Sequence, residues 1–286
     1  MIETEKILPV SLSLIHHFPF DVLKMTGDEA IDFLQRISTN DFKDFTEGKI
    51  QKTLLLTDKG RILDTIWVIH RNNHLIILTS KQMSSEIISF VNNYIIMEDI
   101  VVTDVTSQYS IDLHFGYLDN FYHTDYFGFP VSFDVQLSND VTKSVDHHSR
   151  EAFEQWRIEH GIPVAKKEIL QDYNPLELNL WDWISFTKGC YIGQEVIARI
   201  DTYNKIQRQL CLVSSNEQLT EREVLVDDSG AEIGKLTSVI NIASGFIGLA
   251  IVKMKYAVEQ QQVNVKGTKT VVKIERVFTK EAYGRN

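Results

Sequence analysis

Cysteine, proline, positive charge and long apolar runs are all scarce in this chain. Its 286 residues include two cysteines, Cys190 and Cys211. Two cannot build a disulfide framework, which fits a reducing compartment. Lysine and arginine total 29 against 39 acids, for a net charge of −10. A uniformly acidic protein is a poor generic nucleic-acid binder, because phosphate contacts need clustered cations. A local basic pocket for a small anion stays open. The longest nearly apolar stretch, Ala243–Val252, is broken by glycines and is about half of the roughly 20 residues needed to span a bilayer. Met1–Lys6 is mixed in charge and lacks the apolar core of a signal peptide. These features predict a soluble, cytoplasmic protein without a membrane partner. Recognisable catalytic strings are also missing. There is no Gly-Lys-Ser/Thr phosphate loop and no Gly-x-Ser-x-Gly elbow. No helix carries a His-x-x-x-His pair. His16-His17 and His147-His148 are sequence neighbours, and neighbouring side chains seldom converge on one ion, so no metal is expected.

What is present is ordinary globular material, 43% apolar, long enough for about two domains. Thr26 and Glu29 form a capping-box pattern ahead of a helix with Ala30, Phe33, Leu34 and Ile37 on one face. Strand patterns at Lys52–Leu56 and Ile62–Ile69 flank the turn Thr57-Asp58-Lys59-Gly60-Arg61. A second hairpin turns at Asn72-Asn73. Ser80 opens another predicted helix, with Ile87, Ile88, Val91 and Ile95 as its stripe. A third runs from about Ser149 to His160 and stops at Gly161 and Pro163. Beyond Arg199 only short β runs remain: Leu210–Val213, Val224–Val226, Ile233–Val239, Phe246–Val252, Val263–Val265 and Val271–Val277. They predict a small barrel or sandwich. The expected division is an α+β core over residues 1–205 and a β-module over 206–286, with the boundary near Tyr203–Gln209.

The segment Lys188-Gly189-Cys190-Tyr191-Ile192-Gly193-Gln194-Glu195 concentrates the chemistry. Glycines flank Cys190, which suits special backbone geometry or close approach. If the segment is extended, Lys188 and Cys190 share a face, and a cation beside a thiol makes it more reactive. The plain alternative is a small residue packed in a turn. Gln194 and Glu195 either bind a ligand or start a short helix, where Glu195 complements the dipole. Lys59 and Arg61 sit in a hairpin turn and could receive an anionic tail. Arg157 and Glu159 lie at a helix end, where Arg157 either complements the dipole or holds a carboxylate. Trp156, Trp181 and Trp183 read as core or pocket wall.

Lys188–Glu195 resembles the signature of the YgfZ family, folate-binding relatives of the glycine-cleavage T protein: Lys-Gly-Cys, an aromatic residue, one variable position, then Gly-Gln-Glu. Gly27–Ala30 with Phe33-Leu34-Gln35 and Thr39-Asn40-Asp41 is similar to the family's first helix. Lys59-Gly60-Arg61 with Asp64 is similar to its first hairpin. Arg157–Pro163, Pro175-Leu176-Glu177 and Gly234–Ala250 follow in the family's order. The resemblance implies a T-protein-like α+β core of antiparallel sheets, with two interleaved subdomains, and a C-terminal β-barrel. It implies tetrahydrofolate or a folate derivative as cofactor. The partners it implies are iron–sulfur proteins or their assembly machinery, with effects on tRNA modification. It makes Cys190 the functional thiol, with Lys188 beside it. Arg157, Glu159, Lys59, Arg61, Tyr191, Gln194 and Glu195 become candidate folate contacts, Arg157 first for the glutamate tail. The aminomethyltransferases of this group carry a Gly-Tyr-Thr-Gly-Glu segment whose carboxylate holds the pterin. Tyr126-Phe127-Gly128-Phe129-Pro130 stands in that region here. The expectation is therefore an accessory factor acting by binding, with a folate-dependent one-carbon (aminomethyl) transferase as the alternative.

Overall fold

The computed structural model describes residues 14–138 and 147–280. Met1–Lys6 and the side chains of His147-His148 lie outside the described residues. The chain divides into two compact units. One holds Met1–Ala152 and Asp182–Gln194, the other Phe153–Trp181 and Glu195–Asn286.

Among its described residues the first unit contains nine strands: β1 (Leu14–Ile15), β2 (Phe20–Thr26), β3 (Ile50–Leu56), β4 (Ile62–Arg71), β5 (His74–Ser80), β6 (Val101–Asp104), β7 (Tyr109–Phe115), β8 (Tyr122–Tyr126) and β9 (Phe129–Leu137). They form two antiparallel sheets, ordered β3-β4-β5-β2-β6 and β1-β7-β9-β8. Leu54, Leu55 and Leu56 are buried in succession, as are Ile66, Trp67, Val68 and Ile69. A run buried at every position, rather than at alternate ones, means that both faces of the sheet are covered.

Helix α1 (Ala30–Ile37) buries Ala30, Phe33, Leu34 and Ile37, the predicted stripe. The expected capping box does not form. Thr26 is the last residue of β2, paired with His74 and Val101, and no side chain caps the helix. Helix α2 (Ser84–Tyr94) begins four residues later than the pattern at Ser80 suggests. Ser80 ends β5 and gives both its N–H and its hydroxyl to Asp64. The start of α2 is satisfied instead from β2, where Asp21 accepts the N–H groups of Met83 (2.9 Å) and Ser84 (3.0 Å). Local pattern located the helix; a tertiary contact set its first residue.

The second unit takes up α3 (His147–Glu159) from Phe153 and α4 (Gln194–Thr202) from Glu195. Among its described residues it also contains six strands: β10 (Arg208–Ser215), β11 (Val224–Val226), β12 (Glu232–Ile242), β13 (Gly245–Lys253), β14 (Gln262–Val265) and β15 (Val271–Val277). They close into an antiparallel barrel in the order β10-β13-β12-β11-β14-β15. Each predicted β run beyond Arg199 is one of these strands. Cys211, Val213, Leu225, Ile233, Leu236, Ala250, Val263, Val272 and Ile274 fill the interior. Closure removes the unpaired edges that an open sheet would expose. Gly161 ends α3 at φ +66°, and a Cβ there would stand 2.5 Å from the Phe278 ring. No helix among the described residues is long and apolar enough to cross a membrane.

Candidate functional site

The octet lies in the first unit up to Gln194, pinned at two places. At one end, the Lys188 side chain is buried and its ammonium donates to the backbone carbonyls of Ser38 (2.9 Å) and Asn40 (2.6 Å). Its Nζ also stands 5.6 Å from the Tyr191 ring centroid. Burial lowers the Lys188 pKa to about 8, against the pull of the Asp41 carboxylate. Burial likewise pushes the Tyr191 phenol up to about 12. At the other end, Gly193 adopts φ +80°, and a Cβ there would meet the Thr57 carbonyl oxygen at 2.6 Å and Gly60 Cα at 3.1 Å. The octet therefore presses backbone to backbone on the β3–β4 turn that carries Lys59 and Arg61. Between the two pins Gly189 and Cys190 are exposed.

The same Ser38-Thr39-Asn40 segment anchors a second feature. Thr39 Oγ1 donates to the Trp183 carbonyl (2.5 Å) and accepts the N–H of Leu54 (3.0 Å). Asn40 takes Thr53 Oγ1 as backbone acceptor and gives its side-chain amide to the Lys52 carbonyl. Trp183 is thereby held against an aromatic group. Its ring centroid lies 4.8 Å from Trp67 and 5.0 Å from Phe127. Trp67 stacks on Tyr126 at 5.3 Å and 8°. Lys52, buried on β3, forms an ion pair with Asp125 at 2.5 and 2.7 Å, and its Nζ stands 5.5 Å from the Trp183 centroid. Asp125 also accepts the Gly128 N–H at 2.8 Å, which closes the two-residue turn between β8 and β9. Phe127 sits at φ +50° in that turn. A bulky residue in this region is strained, and such strain concentrates at functional positions. Trp67 Nε1 is buried with no hydrogen-bond partner among the described residues, a costly state for a donor.

Residues 11–112 match the family described as GCVT N-terminal domain. A chloroplastic protein of Arabidopsis thaliana, described as a provisional transferase, is 27% identical over 279 residues, covering 83% of this chain and 64% of that protein. The tRNA-modifying protein YgfZ of Buchnera aphidicola (subspecies Acyrthosiphon pisum) is 33% identical over 105 residues, 34% of this chain and 33% of that protein. The crystal structure of the glycine cleavage system aminomethyltransferase T from Bartonella henselae superposes with a TM-score of 0.74 at 15% identity, covering 94% of this chain and 86% of that one. The chain is thus similar in sequence to the GCVT N-terminal domain and to YgfZ proteins over part of its length, and it shares the fold of the aminomethyltransferase. It spans less than two thirds of both relatives' lengths, and the likeness to the aminomethyltransferase concerns the fold.

Within this fold, the first unit holds Lys59, Arg61, Lys188, Cys190, Tyr191 and Gln194. Gln194 donates weakly to the Gly189 carbonyl, 3.5 Å. The second unit holds Arg157, Glu159 and Glu195. Arg157 is fully buried, and its guanidinium donates to Glu154 (2.9 and 2.6 Å), Ser238 (2.9 Å) and the Ile162 carbonyl (3.4 Å). Glu168, also fully buried, lies 3.6 Å away. Glu159 accepts from Gln155. Glu195 is exposed in the first turn of α4. The Lys188 ammonium is occupied by Ser38 and Asn40, which makes it a clamp on the loop that presents Cys190. Trp183 belongs to the first unit, while Trp156 and Trp181 belong to the second. Sequence reasoning missed Lys52, Trp67 and Asp125. Their one signal was Lys52, a charge at the head of an otherwise apolar strand.

Proposed function

We propose that this chain is a tetrahydrofolate-binding accessory protein that assists iron–sulfur cluster assembly or repair, and through it tRNA modification. The observation that carries the reading is the aromatic group of Trp67, Tyr126, Phe127 and Trp183 with its buried Lys52–Asp125 pair. It occupies the same unit as the Cys190 loop and hangs from the same Ser38–Asn40 segment. The residue types support this reading, with Trp67, Tyr126 and Trp183 buried behind the half-buried Phe127. Flat π faces suit pteridine and aminobenzoyl rings, the Trp67 Nε1 donor lacks an acceptor, and Lys52 with Asp125 offers a polar edge. Lys59 and Arg61 are the cations in this unit suited to an anionic tail. Tetrahydrofolate would supply a carrier for a one-carbon unit. The protein's own residues would orient the rings and hold Cys190 in the open, where a thiol can meet a partner. A reducing cytoplasmic compartment suits such a free, exposed thiol.

Anaerobic calorimetric titration with tetrahydrofolate tests the reading. Saturable binding is expected, weakened about tenfold in Phe127→Ala, since an aromatic contact is worth roughly 0.5–1.5 kcal/mol beyond its area. No heat of binding at attainable concentrations refutes it. Cys190→Ser should bind folate normally yet fail to restore a null strain; full restoration refutes the thiol's part. One-carbon transfer is the second reading. Asp125 favours it, as a carboxylate on the hairpin where the transferases carry theirs. Turnover of a glycine-derived aminomethyl carrier would establish transfer.

A further inference from the structure

The net charge of −10 conceals a local reversal on the second unit. In this unit Arg157, Lys167, Lys266 and Lys273 are ion-paired. By contrast, Arg199, Lys205, Lys253 and Lys255 are exposed, and none of them has an ion-pair partner among the described residues. Backbone contacts link the segments that carry them. Lys253 and Arg208 stand directly opposite each other on β13 and β10, and the Met254 N–H bonds the Gln207 carbonyl at 2.8 Å. The chain from Gln207 leads back through Lys205, whose Nζ lies 5.4 Å from the Tyr203 ring centroid. The Tyr203 N–H in turn bonds the Arg199 carbonyl at the end of α4. Like charges directly across a strand pair are destabilising unless something neutralises them. The nearby acids offset part of this charge. Arg208 is ion-paired with Glu177 at 3.8 Å and lies 5.8 Å over the Tyr173 ring, and the Glu232 carboxylate sits on Lys266 and also feels Lys253, whose ammonium donates to the Glu232 backbone carbonyl. Asp201 is half-buried in α4. Tyr203, beside Lys205, is 64% exposed, and Met254 is 46% exposed.

We propose that this face of the second unit binds an unpaired segment of nucleic acid, with Arg199, Lys205, Arg208, Lys253 and Lys255 on successive phosphates and Tyr203 stacked on a base. Lysines on flexible stems suit a phosphate chain, and an exposed aromatic ring among cations is the element that single-strand binders add to such a groove. An acidic protein surface would use the charges but has no need of the ring. Binding here is independent of the folate reading, because it involves neither the aromatic group nor Cys190.

The test is fluorescence anisotropy of the full chain with labelled single-stranded RNA and DNA oligonucleotides of about 20 residues, across a salt series. At about 50 mM salt we expect saturable binding at micromolar to sub-millimolar Kd, with a log–log salt slope near −3.5, since each of the five single-strand phosphate contacts contributes about −0.7. The RNA and DNA arms show which sugar is preferred. Lys205→Glu/Lys253→Glu/Lys255→Glu should weaken binding more than tenfold and flatten the slope by about 2. Tyr203→Ala should weaken it about fivefold or more at unchanged slope, the loss of one stacked base. All four positions are exposed, so unchanged thermal unfolding is expected; the corresponding Gln triple variant gives the same readout if the Glu variant fails to fold. Absence of saturable binding overturns the proposal, as does binding indifferent to the triple substitution. Equal competition by polyglutamate together with a silent Tyr203→Ala also overturns it, and would indicate an acidic protein partner.

Discussion

Two glycines flank Cys190, and the structure gives them opposite sensitivities. Gly193 sits at φ +80°, with the Thr57 carbonyl oxygen 2.6 Å and Gly60 Cα 3.1 Å from where a Cβ would stand. Gly189 has no positive φ and nothing within 4 Å of that point. In Gly193→Ala, the left-handed backbone costs about 1–2 kcal/mol. Overpacking against backbone atoms adds about 1–3 kcal/mol, because neither the carbonyl nor Gly60 Cα can swing aside as a side chain could. The expected total is about 2–5 kcal/mol. At roughly 2–4 °C per kcal/mol for a unit of this size, the first unit's unfolding midpoint should fall by about 5–15 °C. Gly189→Ala should stay within about 0.5 kcal/mol of the parent. Gly193→Asn separates the two causes: asparagine tolerates the left-handed region, but its Cβ meets the same atoms, so most of the loss should persist. Differential scanning calorimetry of the three variants reads this directly. Equal shifts for Gly189→Ala and Gly193→Ala would refute the pinned-octet geometry, as would a Gly193→Ala midpoint indistinguishable from the parent's.

The other predictions concern buried charge. Burial raises the Asp64 carboxyl from its ordinary 3.8 to about 6, against hydrogen bonds from Thr79 and Ser80. The folded state thus keeps a proton that the unfolded state releases. This stabilisation is complete below pH 3.8 and gone above about 6, a change of about 3 kcal/mol. In urea unfolding, the stability of Asp64→Asn relative to the parent should rise by about that amount across the same window; a flat difference would contradict it. Arg157→Met leaves Glu168 buried without its cation, so it should cost about 3–5 kcal/mol of stability; the assay is denaturant unfolding, and an unchanged midpoint with weakened folate binding would restore Arg157 as a ligand contact. Lys188→Met strands the carbonyls of Ser38 and Asn40 and should cost about 2–3 kcal/mol, while hastening reaction of Cys190 with a bulky thiol reagent as its loop loosens.

What the sequence revealed and what it hid divide along the range of the forces involved. The barrel strands and the α1 stripe were legible because apolar period and turn residues act over a few positions. The start of α2 was not, because Asp21 caps it from a strand sixty residues upstream. The same holds for the site. Lys59, Arg61 and the octet could be nominated one by one, but only the contact of Gly193 with Thr57 and Gly60 makes them one place. Lys52 and Asp125 looked unremarkable alone, since a carboxylate and an ammonium 73 residues apart carry no mutual signal until β3 of one sheet packs against β8 of the other and brings them to hydrogen-bonding distance. Arg157 shows the converse. Its position at a helix end fitted two local readings, dipole partner and carboxylate holder. Its guanidinium does hold a carboxylate, that of Glu154, three residues earlier on the same helix. A residue's chemistry was thus readable from type and spacing, while the identity of its partner required the fold.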